Sequence, residues 1–369
     1  MKIEKVYAYH YSIPLNHPFR ISAGEIREKE GLVFELRTRH LTGWGEASVD
    51  GIPFYAHETC GSVMDLARRV LVPLLESRDW NDPYEFNEAC HAYRGGNFAK
   101  CAFETALWDI YGQQENAPVW KLLGGNRETI ESGGAVGIKR NPNETVQSIA
   151  ALLAHGYRRI KLKISPGHDT EYLEAVRSAF PDISLMVDAN SAYGADDFDK
   201  IASWDRFNLL MIEQPLDEND IYFHSLLRRK IKNPICLDES LHTIHDTECA
   251  INLKAADIVN IKVCRVGGLC NTKAIHDLCM KNNISNWIGS RITASIGEAP
   301  RLAACTLPNC SLASDFGIPL ERGHIADDFA EIDTKTIDGC RMTAPSQSGL
   351  GLKIDRKKLS SFLLDACRM

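Results

Sequence analysis

The sequence predicts an α/β fold: a TIM-type barrel of eight strand–helix units, with a smaller α+β domain capping it. Three observations carry this. From about Ser132, short apolar runs alternate with helix-compatible segments at an even spacing. The charged residue at or next to the end of successive runs recurs every 24 or 25 residues, at Lys163, Asp188, Glu213, Asp238 and Lys262. Before Ser132, strand-like stretches come first and helix-like stretches follow, the pattern of a separate α+β unit. An open doubly wound sheet is the competing architecture, and the regular repeat favours closure.

The bulk properties agree. A chain of 369 residues is too long for one small domain and suits a barrel with an accessory domain. A net charge of −7 supplies no basic field, so nucleic acid is not an expected partner. The twelve cysteines are scattered without a Cys-x-x-Cys pair, which favours reduced thiols in a cytoplasmic protein. The N-terminus lacks an apolar signal region and no apolar run reaches spanning length, so neither secretion nor membrane insertion is expected.

Taken in order, residues 1–125 form the capping domain. Alternation over 2–12, 32–39 and 44–47 predicts a small antiparallel sheet, and 18–25 reads as a turn-rich loop. Residues 57–123 read as helices, most clearly 98–114, before Gly124-Gly125-Asn126 stops the run. The barrel occupies 126–322, with strands expected at 133–138, 159–164, 183–188, 209–213, 235–238, 258–262, 284–289 and 311–315. The tail, 323–369, contains Gly339, Pro345, Gly349 and Gly351 and is expected to return to the capping domain.

The second barrel strand organises the chemistry. In Arg159-Ile160-Lys161-Leu162-Lys163-Ile164, period two sets the aliphatic residues on one face and Lys161 and Lys163 on the other. Helices cover the outside of such a sheet, so the lysines must point inward, where an ammonium needs anions. The following strands end in Asp188, Glu213 and Asp238. Three neighbouring carboxylates repel unless a cation lies between them, and oxygen-only ligands favour Mg²⁺, with Mn²⁺ as the alternative ion. Lys163 and Lys262 then flank the metal from opposite sides. The arrangement suits removal of a proton α to a substrate carboxylate, with the metal and the second ammonium stabilising the enediolate. An amine base must shed its proton near neutral pH, which nearby cations favour and carboxylates oppose. Lysine with Mg²⁺ is a known scheme for this chemistry. Asn190 shares the inward face with Asp188. Lys161 either orients the substrate carboxylate or neutralises Asp188. Tyr55 is a candidate aromatic wall at the domain boundary.

These residues resemble the muconate-lactonising subgroup of the enolase superfamily, and within it the o-succinylbenzoate synthase / N-acylamino acid racemase family. The resemblance covers nearly the whole chain. It rests on Gly43-Trp44-Gly45-Glu46-Ala47, Phe98-Ala99-Lys100, Val187-Asp188-Ala189-Asn190, Ile212-Glu213-Gln214-Pro215, Leu237-Asp238-Glu239-Ser240 and Val259-Asn260-Ile261-Lys262, together with the lysine strand. It implies a (β/α)7β barrel, Asp188, Glu213 and Asp238 as Mg²⁺ ligands, and Lys163 and Lys262 as the acid/base pair. It further implies Glu239 near the metal, a loop at Ser22-Ala23-Gly24 closing over the substrate, and a homo-oligomer. The chain departs after the seventh strand. Where the family shows Gly-Gly-Met-x-Glu-(Ser/Thr)-Gly, this chain has Gly289-Ser290-Arg291-Ile292-Thr293-Ala294-Ser295. Arg291 and Thr293 are therefore candidate substrate-binding residues; Arg291 either clamps a second substrate carboxylate or offsets Asp315 or Glu298.

Two reactions fit the same five residues: o-succinylbenzoate synthase-type dehydration, and racemisation or epimerisation of an N-acyl amino acid. The altered segment adds a related enzyme acting on a different dianion. A Schiff-base aldolase is the rival from another class, against which the three carboxylates argue. A non-catalytic homologue has no need of both lysines and all three acids.

Overall fold

The computed structural model of the chain describes residues 1–21, 24–316 and 324–369. The strands are β1 (Lys5–Ile21), β2 (Gly24–Arg37), β3 (Thr42–Ala47), β4 (Thr129–Glu131), β5 (Gly134–Val136), β6 (Arg159–Lys163), β7 (Ser184–Asp188), β8 (Ile212–Glu213), β9 (Ile235–Leu237), β10 (Ile258–Ile261), β11 (Ser285–Ile288), β12 (Ala330–Ile332), β13 (Arg341–Thr343), β14 (Leu352–Ile354) and β15 (Leu363–Arg368). The capping sheet is antiparallel in the order β15-β1-β2-β3, so the last strand of the chain pairs with the first.

Of the expected loop at 18–25, the described residues 18–21 and 24–25 form the end of a long hairpin instead. Phe19 pairs with Ile26 and Ile21 with Gly24, beyond a bulge that follows Pro14. Two facts allow it. Phe19 and Ile21 alternate onto one face, and β15 pairs with β1 only from Tyr7 to Tyr11. Beyond Tyr11 that edge is taken by residues 324–326 instead, Leu15 bridging to Ile325 and Pro14 O accepting from Ala326 N, so the missing N–H of Pro14 removes no bond to β2, and Pro18 falls in the bulge. The hairpin docks on the C-terminal segment through Asn16 N to His324 O, at 2.8 Å. Ser22, expected to touch substrate, lies outside the described residues.

β3 lies directly on the helix Asn97–Gln114. Gly43 and Gly45 face it, and a Cβ on Gly45 would stand 1.8 Å from Ala102 O. The same helix ties the cap to the barrel, because Glu104 accepts from Leu269 N at 2.9 Å and Cys270 N at 2.7 Å. Those amides open the helix Leu269–Lys281, whose unpaired N–H groups favour an anion.

The barrel sheet runs in sequence order from β5 to β11, every pair parallel. The eighth expected strand is reduced to single bridges. Cys310 pairs with Asn286 on one side and Ser314 with Ser132 on the other, which closes the barrel between β11 and β5. No longer ladder forms there because Ser314 Oγ accepts from the Ile288 N–H, at 3.2 Å, that a strand carbonyl would otherwise take. The interior is filled by side chains, as in barrels generally: Met186, Met211, Cys236, Ile258 and Trp287 pack together below the lysines. No described helix is long and apolar enough to cross a membrane. All twelve cysteines are unpaired, and ten of them are buried.

Candidate active site

Register explains how residues from five strands meet. Lys163 pairs with Asp188, and Asp188 with Glu213. Glu213 pairs with Cys236, so Asp238 stands one pleat further along β9, on the same face. Val259 pairs with Leu237, which sets Asn260 beside Asp238 and Lys262 one pleat beyond. Two steps of two residues over the four pairings that join these five strands amount to one residue per pairing, the stagger that closes an eight-stranded barrel. The five therefore share one level at the barrel mouth.

All five are buried or nearly so; Lys163 and Lys262 are 10% and 5% exposed. Each carboxylate faces a cation rather than the other acids. Lys163 Nζ donates to Asp188 Oδ2 at 2.5 Å and to Asn190 Oδ1 at 2.8 Å. Lys262 Nζ donates to Asp238 Oδ2 and to the Tyr55 hydroxyl, both at 2.6 Å. Arg265 Nη1 also holds Asp238, and its Nη2 reaches Tyr55 at 3.0 Å. Lys161 Nζ lies 2.6 Å from Asp315 Oδ2 and 3.3 Å from both Asp188 Oδ2 and Glu213 Oε2.

Charge balance differs between the three acids. Burial opposes ionisation of Asp238, but Arg265 and Lys262 outweigh it and hold the carboxyl below the usual range. Burial likewise opposes Asp188, and Lys163 and Lys161 outweigh it. Glu213 is pushed up to about 8 by burial and by the neighbouring Asp188, against which Lys161 is insufficient. Lys161, despite burial, is held firmly charged by Asp315, Glu213 and Asp188. Glu239 Oε2 is buried without a hydrogen-bond partner among the described residues. A donor set made only of carboxylates, with one acid short of positive charge and an orphaned carboxylate oxygen beside it, fits a hard divalent cation.

The backbone at the mouth is unusual. Asn190, Ser191 and Gln214 adopt positive φ at 43°, 64° and 38°. Gln214 is held there by its own side chain. Its Oε1 accepts from Asp238 N at 3.0 Å and Ser240 N at 3.2 Å, and its Nε2 donates to Ser240 Oγ at 2.7 Å. This buried amide locks the end of β8 to the turn that carries Asp238.

One cavity opens over the cluster. Lys161, Lys163, Lys262, Tyr55 and Arg291 line it, roofed by Phe19 and Ile21 of the hairpin. Asn190 does not line this cavity; it holds Lys163 and donates to Glu239 Oε1 at 2.9 Å. Thr293 is also absent from the lining. Its hydroxyl donates to Glu46 Oε1 at 2.5 Å, because Glu46 is a buried carboxylate that draws donors from cap and barrel alike, Tyr11 among them at 2.6 Å. Arg291 offsets neither Asp315 nor Glu298, which pair with Lys161 and Arg301; its partner is Asp50, at 2.5 Å. Tyr55 is more than a wall, since its hydroxyl joins Lys262, Arg265 and Glu239. Arg265 and Asp50 were not anticipated. Arg265 had a signal: a lone charge in the apolar run Val263-Cys264-Arg265-Val266, three residues after Lys262.

Residues 144–358 match the Enolase C-terminal domain-like family, and residues 3–124 match the Mandelate racemase / muconate lactonizing enzyme, N-terminal domain. The chain belongs to the enolase superfamily. An enolase-superfamily relative from Geobacillus kaustophilus, an o-succinylbenzoate synthase, is 37% identical over 98% of this chain and 96% of its own. An N-succinylamino acid racemase from Thermus thermophilus is 34% identical over 96% of this chain and 95% of its own. Among solved structures, an enolase-superfamily member from Listeria innocua superposes with a TM-score of 0.95 at 32% identity, covering 100% of this chain and 99% of that one. The chain is thus an enzyme of this superfamily, with its capping domain and TIM-type barrel.

Proposed function

We propose that this enzyme removes the proton α to a substrate carboxylate, and that its reaction is an o-succinylbenzoate synthase-type dehydration. The observation that carries the reading is the pair Lys163 and Lys262, buried on either side of the Asp188, Glu213 and Asp238 cluster and lining one cavity. In this reading the three acids hold Mg²⁺, which when bound supplies a Lewis acid for the substrate carboxylate. Lys163 Nζ, once neutral, takes the α-proton, with Asn190 and Asp188 fixing its position. Lys262 stays an ammonium, held by Asp238 and Tyr55, and offsets the negative charge that builds on the substrate. Loss of the neighbouring hydroxyl from the same face lets Lys163 return the proton to the departing oxygen, so water leaves and the ring becomes aromatic. Closure by the hairpin keeps bulk water away from the amine.

A second reading is racemisation of an N-succinyl amino acid. The near-equal burial and hydrogen bonding of the two lysines favour it, because exchange at both faces needs two competent amines. The enzyme is read as cytoplasmic, which its unpaired cysteines support. The deciding experiment incubates the Mg²⁺-loaded protein with the hydroxycyclohexadiene carboxylate precursor and, separately, with N-succinyl amino acids in D₂O. Formation of o-succinylbenzoate supports the first reading, and α-deuterium uptake the second. Neither product, or full turnover after exhaustive chelation, overturns the proposal.

A further inference from the structure

The same cavity carries a second charged wall. Lys29 from β2, Asp50 from the segment after β3 and Arg291 from the segment after β11 all line it. Arg291 is 7% exposed and Lys29 2%. Arg291 Nη2 donates to Asp50 Oδ2 at 2.5 Å; Lys29 Nζ donates to Val49 O at 2.7 Å and stands 3.9 Å from Asp50 Oδ1. Among the described residues Asp50 is thus the one carboxylate in an ion pair with either buried cation, with Glu46 a more distant acid acting on Lys29. The other acid on this wall, Glu28, is exposed and accepts from Ser12 Oγ at 2.7 Å.

One atom is left over. Arg291 Nη1 is buried and has no hydrogen-bond partner among the described residues. A buried charged donor without an acceptor is strongly unfavourable, and such atoms call for a specific explanation. Rotation does not relieve it: Asp50 fixes one edge of the guanidinium, whose carbon lies 4.8 Å from the Tyr55 ring centroid and 5.4 Å from that of Phe98. The Tyr55 ring also marks the distance to the chemistry. Lys262 Nζ is 5.0 Å from its centroid, so the two cations are at most about 10 Å apart, within reach of one small molecule.

Resting on the function proposed above, we propose that Arg291, anchored by Asp50 and backed by Lys29, binds a second anionic group of the substrate, a carboxylate distal to the one beside the acidic carbon. The site would then select dianions over monoanions of the same shape. Arg291 then becomes a specificity determinant.

The test is calorimetric titration of the Mg²⁺-loaded enzyme with N-succinyl-L-phenylalanine and with N-butyryl-L-phenylalanine, which carries a methyl group in place of the distal carboxylate. The dianion is expected to bind about tenfold more tightly or better, as a charged buried hydrogen bond implies. In Arg291→Met the ratio is expected to fall to about one, and in Arg291→Lys to an intermediate value. Equal binding by wild type, no measurable binding of the dianion, or an unchanged ratio in Arg291→Met overturns the proposal. If Arg291→Met does not fold, the wild-type ratio and Arg291→Lys decide. Deuterium uptake by both compounds is read in parallel. Exchange of both without preference sinks the subsite and leaves proton abstraction standing; preference without exchange of either does the reverse.

Discussion

Replacing Gly45 by alanine is expected to be far more damaging than the added methyl group suggests. The new Cβ would lie 1.8 Å from Ala102 O and 2.9 Å from Thr105 Oγ1, whereas real Cβ contacts essentially never fall below 3.0 Å. The helix Asn97–Gln114 must therefore retreat from β3 by roughly 1.2 Å or more. It is not free to do so, since Phe103, Ala106 and Leu107 are fully buried on it and Glu104 is tied to the barrel. Overpacking of this kind costs about 1–3 kcal/mol, and a backbone obstacle selects the upper end, ~3 kcal/mol, or about a hundredfold in the folding equilibrium. β3 also leads into Glu46 and Asp50, so activity should fall with stability. The assay is urea unfolding followed by tryptophan fluorescence, with Gly61→Ala as the control. Gly61 sits in the helix Cys60–Leu66 with its nearest obstacle 3.7 Å away, so alanine there should stabilise by roughly 0.5–1 kcal/mol. A loss below about 1 kcal/mol in Gly45→Ala, or a comparable loss in Gly61→Ala, would refute the close-packing argument.

Other outcomes follow from the same geometry. Asp109 is pushed up to about 6 by burial, above its value of roughly 3.9 in an unfolded chain, so the folded state holds its proton longer and stability falls as pH rises through that window. Its share between pH 4.5 and 7 is about 2 kcal/mol, and urea unfolding of Asp109→Asn at the two pH values should lack that share. Gln214→Leu removes the acceptor of the Asp238 and Ser240 amides, which should cost about 1–3 kcal/mol and weaken Mg²⁺ binding measured by titration; unchanged metal affinity would contradict the positioning role. EDTA should abolish turnover and added Mg²⁺ restore it.

The barrel was legible because each strand ends in a charge that an apolar run does not need, and one strand–helix unit sets the spacing. The hairpin was not, because Pro14 and Pro18 read as loop residues until β15 is seen to stop at Tyr11 and the distant residues 324–326 to take over that edge. The eighth strand failed where one serine hydroxyl replaced a ladder carbonyl. Asp315 ends that stretch as the other acids end theirs, and applying the strand-end rule once more would have found it as the partner of Lys161. Asp50 could not be read locally. It lies 241 residues from Arg291, and only the docking of cap on barrel brings them together.

The central claim is that Lys163 takes the proton from the acidic carbon while Lys262, on the opposite side, offsets the charge that builds there. Stereospecific hydrogen exchange tests it most directly, using (R)- and (S)-N-succinylphenylalanine in D₂O with wild type, Lys163→Ala and Lys262→Ala. In Lys163→Ala, exchange of the enantiomer whose α-hydrogen faces Lys163 is predicted to fall by about 10²–10⁴-fold, and a matching loss of the other enantiomer's exchange in Lys262→Ala is predicted only under the racemase reading. Wild-type exchange of both enantiomers in either variant would contradict it.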